Sequence, residues 1–513
     1  MSGYLRRLAT TGAAYTAASI LSKLIAVALL PLYTRHLSTA DYGTAEVMFA
    51  AVVTASIVVR LGLLEALLRF YYEEGEDPDR VVAGTFAGLF WLSALAALVL
   101  LPLATPLSEL LLDKPAAELA RISIGGLWVL TMMEFLLTVF RVEERARAYF
   151  LTTVLNVLAT IAVTVVLVVG AGEGARGLLL GSYGTGAATV LVLIAVQWRR
   201  LSLRPDLPLM RRLFRFGLPT MPAGVSLYAL NFVDRLIIVR SAGLGAAGLY
   251  SLAVKFAQAI NVLVRGFQLA WPPLAYSIRN DEEARRVYAT VVTLFVAGCA
   301  FMVTGMWLYA RWIVRALAAP KFFDSYEAIG LLAAAVTLYA LYLVMVVILG
   351  RTGRTEFNLP AAIAALVVNV ALNLALVPPL GIVGAALALV ASYLVVSVLM
   401  YVFTQRLFPV PYQWGRLARV VLAAAVLVGL GELVMPTSGL PGFLGRGLLW
   451  VLYPLALWGS GFFTPEERGW IAQLRHPSRV LAAVAALRAQ PPAVEGAVPD
   501  VYELERQDED RTP

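Results

Sequence analysis

Polar and charged side chains interrupt several apolar runs of this sequence. The segment "SLYALNFVDRLIIV", residues 226–239, places Asn231, Asp234 and Arg235 among mostly apolar residues. A charge inside a bilayer is costly unless it is paired or hydrated, so such groups usually face the interior of a helix bundle or a water-filled cavity. On a helix, Tyr228, Asn231 and Arg235 share a face, and Asp234 lies beside it. We therefore expect Asn231, Asp234 and Arg235 to line a polar site within a membrane.

A second group of candidate residues is mainly basic. Lys255, Gln258 and Arg265 are spaced so that they lie on one face of a helix. Lys23 falls near the middle of the first apolar run, and Arg60 falls near the end of the second. Together these side chains predict a hydrated, cationic cleft, which suits an anionic substrate inside a membrane.

Simpler interpretations exist for the same residues. Arg60 and Arg265 could extend their side chains to lipid headgroups at a membrane surface. Asp234 and Arg235 could do no more than tie one helix to its neighbour. These alternatives stay open at the level of sequence.

Other polar residues receive structural interpretations. Glu134 and Arg141 lie seven residues apart and are typical of a pair at a helix end. Asn369 and Asn373 are four residues apart, which predicts hydrogen bonds between helices.

The composition limits the class of protein. Of the 513 residues, 60% are hydrophobic and only 14% are charged, whereas soluble domains are about 25% charged. The single cysteine, Cys299, excludes an internal disulfide, and the two histidines are far apart. No sequence motif of an ATPase, metalloprotease or serine hydrolase is present, so we expect no catalytic residues, metal site or cofactor. The net charge of +8 is better explained by basic cytoplasmic loops than by nucleic-acid binding.

Apolar windows long enough to cross a bilayer recur along the chain. A membrane-spanning helix needs about 20 mostly apolar residues. Fourteen windows meet this requirement, and the sequence therefore predicts an all-α polytopic membrane protein with about fourteen spans. The windows are 11–33, 43–66, 81–104, 118–140, 149–170, 177–197, 214–238, 247–270, 287–309, 328–349, 357–377, 382–404, 416–435 and 441–460.

The loops predict an orientation. The N-terminus and the loops after even-numbered spans hold roughly 21 basic residues, against roughly nine on the other side. We therefore expect both termini to be cytoplasmic. The basic N-terminal stretch before the first window resembles a signal peptide, but we interpret it as an uncleaved first helix. From about residue 464 the chain becomes polar, which predicts a short surface helix around Trp470 followed by disorder.

An internal repeat relates the two halves of the chain. At an offset of 205 residues, Arg35 aligns with Arg240, Gly43 with Gly248 and Arg60 with Arg265. The offset equals six spans, an even number, so both copies would enter the membrane in the same direction. We expect a first lobe in residues 1–200, a second lobe in 201–405, two additional spans in 406–462 and a cytoplasmic tail in 463–513. In this class of repeat the substrate site lies between the lobes.

Two long segments resemble the bacterial oligosaccharide flippases, the O-antigen and polysaccharide branch of the MOP exporter superfamily. They are "FGLPTMPAGVSLYALNFVDRLIIVRSAGLGAAGLYSLAVKFAQAI", residues 216–260, and "GRTGRTEFNLPAAIAALVVNVALNLALVPPLGIVGAALALVASYL", residues 350–394. The resemblance implies two six-helix lobes in a V shape. It also implies transfer of undecaprenyl-diphosphate-linked oligosaccharides from the inner to the outer leaflet of the cytoplasmic membrane, by alternating access.

The resemblance further implies a set of partners. These are the lipid-linked oligosaccharide, the bilayer, a coupling ion (a proton or sodium) and polysaccharide polymerase or glycosyltransferase machinery. The family has a cationic central cavity, which Lys23, Lys255 and Arg265 match in kind. Within it, Arg235 would meet the diphosphate or sugar, and Asp234 would pair with it or titrate.

Three alternative functions remain open. A multidrug cation exporter of the same superfamily should have an acidic cavity. A lipid II flippase shares the cationic cavity and the fourteen spans. A membrane-embedded glycosyltransferase or phosphotransferase would need acidic pairs, for which "YYEEGEDPDR", residues 71–80, is the nearest candidate.

Overall fold

Long apolar helices occupy the positions that the sequence predicts. The computed structural model describes residues 27–465 and 467–469. Within these residues, ten helical stretches are long and apolar enough to cross a membrane. Two of them, Gly224–Ser277 and Asn358–Leu407, each cover two predicted spans, so the ten correspond to twelve of the fourteen predicted spans. The predicted span 416–435 is not among them. Most of the first predicted span, including Lys23, and the predicted tail helix lie outside the described residues.

The described part of the first half consists of helices joined by short connections, and two of these helices begin at polar caps. Ser38 and Asp41 form a reciprocal capping box at the start of α2, and Asp77 caps α4 ahead of a proline. The helices are α1 (Leu30–His36), α2 (Thr39–Arg60), α3 (Leu63–Phe70), α4 (Pro78–Leu100), α5 (Ala104–Leu112), α6 (Ala117–Val142), α7 (Ala146–Val165) and α8 (Gly174–Gln197).

The second half contains longer helices. Asn280 caps α12 by accepting hydrogen bonds from the backbone amides of Glu282 and Glu283. The helices are α9 (Leu207–Gly217), α10 (Met221–Ala257), α11 (Asn261–Ser277), α12 (Asp281–Leu317), α13 (Tyr326–Arg351), α14 (Asn358–Leu407), α15 (Trp414–Leu433) and α16 (Gly439–Gly459). The part of the chain that the structure describes contains no β-strand.

Two glycines break helices at places that the internal repeat relates. Gly243 interrupts α10 at φ +82°, and it lies 205 residues after Ser38, which separates α1 from α2. Gly381 interrupts α14 at φ +55°, and it lies 207 residues after Gly174, which has the same φ at the start of α8. A positive φ is accessible to glycine without steric cost. Corresponding breaks at corresponding positions support the repeat, while the exact lobe boundaries stay a prediction.

Some helix faces pack against other helices, and other faces are exposed on the outside of the protein. α2 packs along α10, and α13 packs against α14. Other helices present large apolar side chains outward: Leu98 is 68% exposed and Val196 is 72% exposed. A soluble protein would bury such residues, whereas lipid solvates them.

The helix α9 follows the basic loop between the halves. Asp206 caps it by accepting a hydrogen bond from the backbone amide of Leu209 at 3.1 Å and pairs with Arg80 at 2.7 Å. The hydrogen bond from Arg80, with that of Leu209, lowers the pKa of Asp206. The pairing ties the start of α9 to the start of α4.

Candidate functional site

Two cavities adjoin each other where α10 passes between them, and Tyr228 lines both. The first, which we call the arginine cavity, has a volume of about 300 Å³ and lies among α2, α3, α6 and the beginning of α10. Its charged lining residues are Arg60, Glu65, Glu134 and Arg141. The second, which we call the tyrosine cavity, has a volume of about 200 Å³ and lies among α10, α11, α13 and α14. Its polar lining residues are Tyr228, Asn231, Gln258, Asn261, Arg265, Tyr339 and Tyr393.

Arg60 reaches the arginine cavity because α2 ends there. The next two residues, Leu61 and Gly62, adopt left-handed backbone conformations that terminate the helix. The Arg60 side chain donates a hydrogen bond to the carbonyl oxygen of Ser56 at 3.1 Å and lies 3.5 Å from the Glu134 carboxylate. At 3.5 Å the ion pair with Glu134 is loose, so an anion can compete for Arg60.

Arg141 lies two turns beyond Glu134 on α6 and lines the same cavity. Arg265 enters from α11 and is exposed in the tyrosine cavity. Because Tyr228 lines both cavities, Arg141 of the first half and Arg265 of the second half belong to adjoining cavities.

The charge balance of the cavities is more even than the sequence predicts. Arg60 and Arg141 share the arginine cavity with Glu65 and Glu134. Among the described residues, no carboxylate lies within ion-pair distance of Arg141 or Arg265. The positive charge available to an anion is therefore concentrated on Arg141 and Arg265.

Aromatic and amide groups dominate the tyrosine cavity. The rings of Tyr339 and Tyr393 lie 5.2 Å apart between centroids. The side-chain amide of Asn231 donates a hydrogen bond to the Tyr393 hydroxyl at 3.3 Å. Gln258 and Asn261 come from the short 3-10 turn and the first residue of α11. The turn directs both amide groups to the cavity.

Lys255 lies apart from both cavities. It pairs with Glu46 of α2 and lies 5.0 Å from the ring centroid of Tyr42. The 3-10 turn at Gln258–Ile260 changes the helical register, so Lys255 does not share the face of Gln258 and Arg265 that a continuous helix would give. In this structure Lys255 bridges α2 and α10 and lines neither cavity, and its predicted role in substrate binding stays a prediction.

Asp234 and Arg235 are buried rather than exposed to either cavity. The Asp234 carboxylate accepts hydrogen bonds from the Tyr250 hydroxyl at 2.8 Å and from the side-chain amides of Asn369 at 2.9 Å and Asn373 at 2.7 Å. Arg235 donates to the Ser251 hydroxyl at 3.0 Å and to the backbone carbonyl of Asn231. Their partners enclose them among helices of the second half, and the expected contact of this Asp-Arg pair with substrate stays a prediction.

The structure thus distributes the predicted site residues among three places. Arg60, Asn231, Gln258 and Arg265 line the cavities, whereas Asp234, Arg235 and Lys255 do not. Sequence analysis missed the cavity residues Glu134, Arg141, Asn261, Tyr339 and Tyr393. The spacing of Glu134 and Arg141 was visible, but nothing in it indicated that α6 would face α2.

Comparisons with known sequences identify a family for the chain. A family model described as "Polysaccharide biosynthesis protein" matches residues 8–279, just over half of the chain. The succinoglycan biosynthesis transport protein ExoT of Rhizobium meliloti (strain 1021) is 26% identical over 316 residues, which are 59% of this chain and 61% of ExoT. The chain therefore spans about three-fifths of the length of that relative.

Solved structures share the fold. The lipid II flippase MurJ, in an inward closed conformation, has a TM-score of 0.70 at 12% identity, covering 88% of this chain and 99% of MurJ. An inward-facing multidrug resistance MATE family transporter of the MOP superfamily has a TM-score of 0.61 at 17% identity, covering 79% and 96% of the two chains. These likenesses concern the fold alone. They confirm the predicted class, an all-α, multi-pass membrane protein with the fold of MOP superfamily transporters.

Proposed function

The chain belongs to the polysaccharide biosynthesis protein family, and we propose that it is a flippase for undecaprenyl-diphosphate-linked oligosaccharide repeat units. The proposed direction is from the inner to the outer leaflet of the cytoplasmic membrane, with both termini in the cytoplasm. Its relatives are named as transporters or flippases, so we assign it transport and no catalysis.

The placement of Arg60, Arg141 and Arg265 in two adjoining cavities carries the proposal. A diphosphate cannot cross hydrocarbon without replacing its hydration, and guanidinium groups form strong, charge-assisted hydrogen bonds with phosphate oxygens. Arg141 and Arg265 supply positive charge directly, and Arg60 becomes available when the diphosphate displaces Glu134. The prenyl tail stays in lipid while the polar head occupies the cavities.

Alternating access requires a contact that closes one side and can open. The N-terminal half of α2 meets residues 244–257 of α10 through Gly43, Gly248 and the Glu46–Lys255 pair. The C-terminal end of α2 instead lines the arginine cavity. In the proposed orientation the α2–α10 contact closes the outer side, and its separation would release the substrate outward.

The Asp234 cluster is the proposed site of energy coupling. Besides the buried carboxylate, the side-chain oxygens of Asn369 and Asn373 are buried and have no hydrogen-bond donor among the described residues. As arranged, the carboxylate suits a proton. A sodium ion would be bound if both amides turned, so that their oxygens replaced the amide nitrogens beside the carboxylate. Loading the site would change the packing of α14 against α10.

Transport of lipid II is the second candidate function. The observation that favours it is the similarity in fold to MurJ over 88% of the chain. The two candidates differ in the sugar but share the diphosphate, so the arginine cavity suits both.

Depletion of this protein in the bacterium that produces it tests the proposed flippase function. We expect undecaprenyl-diphosphate-linked repeat units to accumulate in the inner leaflet and surface polysaccharide to disappear. Wild type should restore export, and Arg265→Gln should fail to do so at equal abundance. Accumulation of lipid II with cell lysis would instead assign the lipid II function.

A further inference from the structure

The two cavities differ in the chemistry of their walls. In the arginine cavity the polar groups are mainly charged: two arginines and two glutamates. Among the described residues that line the tyrosine cavity, Arg265 is the one that is charged, and the other polar groups are phenol and amide side chains. The members of this second set are Tyr228, Tyr339, Tyr393, Asn231, Gln258 and Asn261.

Phenol and amide groups together match the surface of a sugar. Each amide offers both donors and acceptors, which is what a ring of hydroxyl groups needs. Tyrosine rings offer flat apolar faces with a polar edge, so they can cover the C–H face of a sugar while hydrogen-bonding its rim. Tyr228 is 53% exposed, and Tyr339 is half-buried beside it in the cavity wall, so both have surface available to a ligand.

We infer that the cavities are two subsites of one substrate, an inference that rests on the proposed flippase function. The arginine cavity binds the diphosphate, and the tyrosine cavity binds the glycan. Tyr228 lines both cavities, and Arg265 is a basic residue of the tyrosine cavity, so a substrate can extend from one cavity to the other past Tyr228.

The size of the tyrosine cavity limits how much glycan it recognises. Its volume of about 200 Å³ is below the range of roughly 300–1,000 Å³ usual for drug-sized ligands. It therefore accommodates the sugars next to the diphosphate and not a whole repeat unit. Recognition should depend on the first sugars and tolerate variation at the distal end.

The division of the substrate between a diphosphate subsite and a glycan subsite can be tested by measuring the equilibrium binding of three lipids to the full chain in nanodiscs. The lipids are undecaprenyl diphosphate, the same lipid with one sugar, and the same lipid with a complete repeat unit. For wild type we expect the first sugar to tighten binding about tenfold, equivalent to about 1.4 kcal/mol, and the remaining sugars to add little. Tyr339→Ala and Gln258→Ala should remove most of the gain from the first sugar without weakening binding of undecaprenyl diphosphate.

Matched variants distinguish the loss of one subsite from a general loss of protein structure. Tyr339→Phe keeps the ring and should retain most of the sugar-dependent gain. Arg141→Gln should weaken all three lipids by the same factor. Tyr309→Ala, which removes a tyrosine from the aromatic cluster of α12 and α16, should change none of them.

The outcomes distinguish the subsite division from the flippase function. If Tyr339→Ala and Gln258→Ala weaken bare undecaprenyl diphosphate as much as the glycosylated lipids, the division is wrong and the flippase function stands. If wild type binds all three lipids equally, the glycan subsite is also wrong. If wild type binds none of them, the proposed function fails and the division fails with it.

Discussion

Gly43 on α2 and Gly248 on α10 touch at their backbones: a Cβ added to Gly43 would lie 2.7 Å from the Gly248 nitrogen and would also collide with the Leu244 carbonyl oxygen. The same two glycines are 205 residues apart, the offset at which the two halves of the sequence align. Residues related by a twofold axis can touch only where the axis passes between them. The glycine contact therefore marks the place where the two copies of the repeat meet.

Enlarging either glycine should weaken this contact. Overpacking a close interface costs roughly 1–3 kcal/mol, so Gly43→Val and Gly248→Val should favour the state in which α2 and α10 separate. A cysteine replacing Gln258 would report the change through labelling by an impermeant maleimide added on the outer side. Labelling should rise in both variants and stay low in Gly125→Ala, where an added Cβ meets nothing within 4 Å. Unchanged labelling in the valine variants would show that the α2–α10 contact does not close the outer side.

The Glu46–Lys255 pair should stabilise the same contact. Because the Lys255 side chain is 38% exposed, we expect its loss to cost less than the roughly 3–5 kcal/mol of a broken, fully buried pair. Glu46→Gln and Lys255→Met should each lower the melting temperature, and the double variant should lower it by less than the sum. Strict additivity in this double-mutant cycle would show that the two charges are not coupled.

Asp234→Asn should uncouple transport from its driving gradient. The substitution removes the charge but keeps the size of the side chain, and substrate binding should survive because Asp234 lines neither cavity. Flipping in liposomes with an imposed proton or sodium gradient should lose its gradient dependence. Asp113→Asn, which alters an exposed carboxylate paired with Arg240, is the matched control. Retained gradient dependence in Asp234→Asn would exclude this site as the coupling site.

A separate ion cluster should matter for folding and not for transport. Glu432 on α15 pairs with Arg311 at 2.8 Å and with Arg446 at 2.6 Å, and Arg446 is fully buried. Glu432→Gln leaves these arginines without a counter-charge, which should destabilise the protein by about 3 kcal/mol. Glu118→Gln, in an exposed pair with Arg176, should cost less than about 1 kcal/mol. Thermal unfolding measures both, and equal shifts would refute the distinction.

Sequence patterns predicted the membrane architecture well because lipid imposes a simple rule. Every window of about 20 apolar residues must become a helix, and the breaks at Gly243 and Gly381 lie between predicted spans. The Gly43–Gly248 pair was visible as an identity at a fixed offset. Its meaning as a contact required the fold.

The candidate site was harder to predict because side-chain direction depends on local helix geometry and on neighbours. A single 3-10 turn at Gln258 separates Lys255 from Arg265. Asp234 looked like a cavity residue, but its partners come from residues 16 to 139 positions away in the chain. The sequence around Arg141 and Tyr339 has no pattern that indicates a cavity position. The packing of α6 and α13 brings these two residues to the cavities.

The most direct test of the central claim is transbilayer movement of a labelled undecaprenyl-diphosphate oligosaccharide in liposomes, compared among wild type, Arg141→Gln, Arg265→Gln and the remote variant Arg176→Gln. We expect rapid movement with wild type and Arg176→Gln, and at least about a tenfold loss, equivalent to about 1.4 kcal/mol, with Arg141→Gln and Arg265→Gln. Normal movement in both cavity variants at equal folded abundance would contradict the role of the arginine cavity. No movement with wild type under any ion gradient would contradict the flippase function itself.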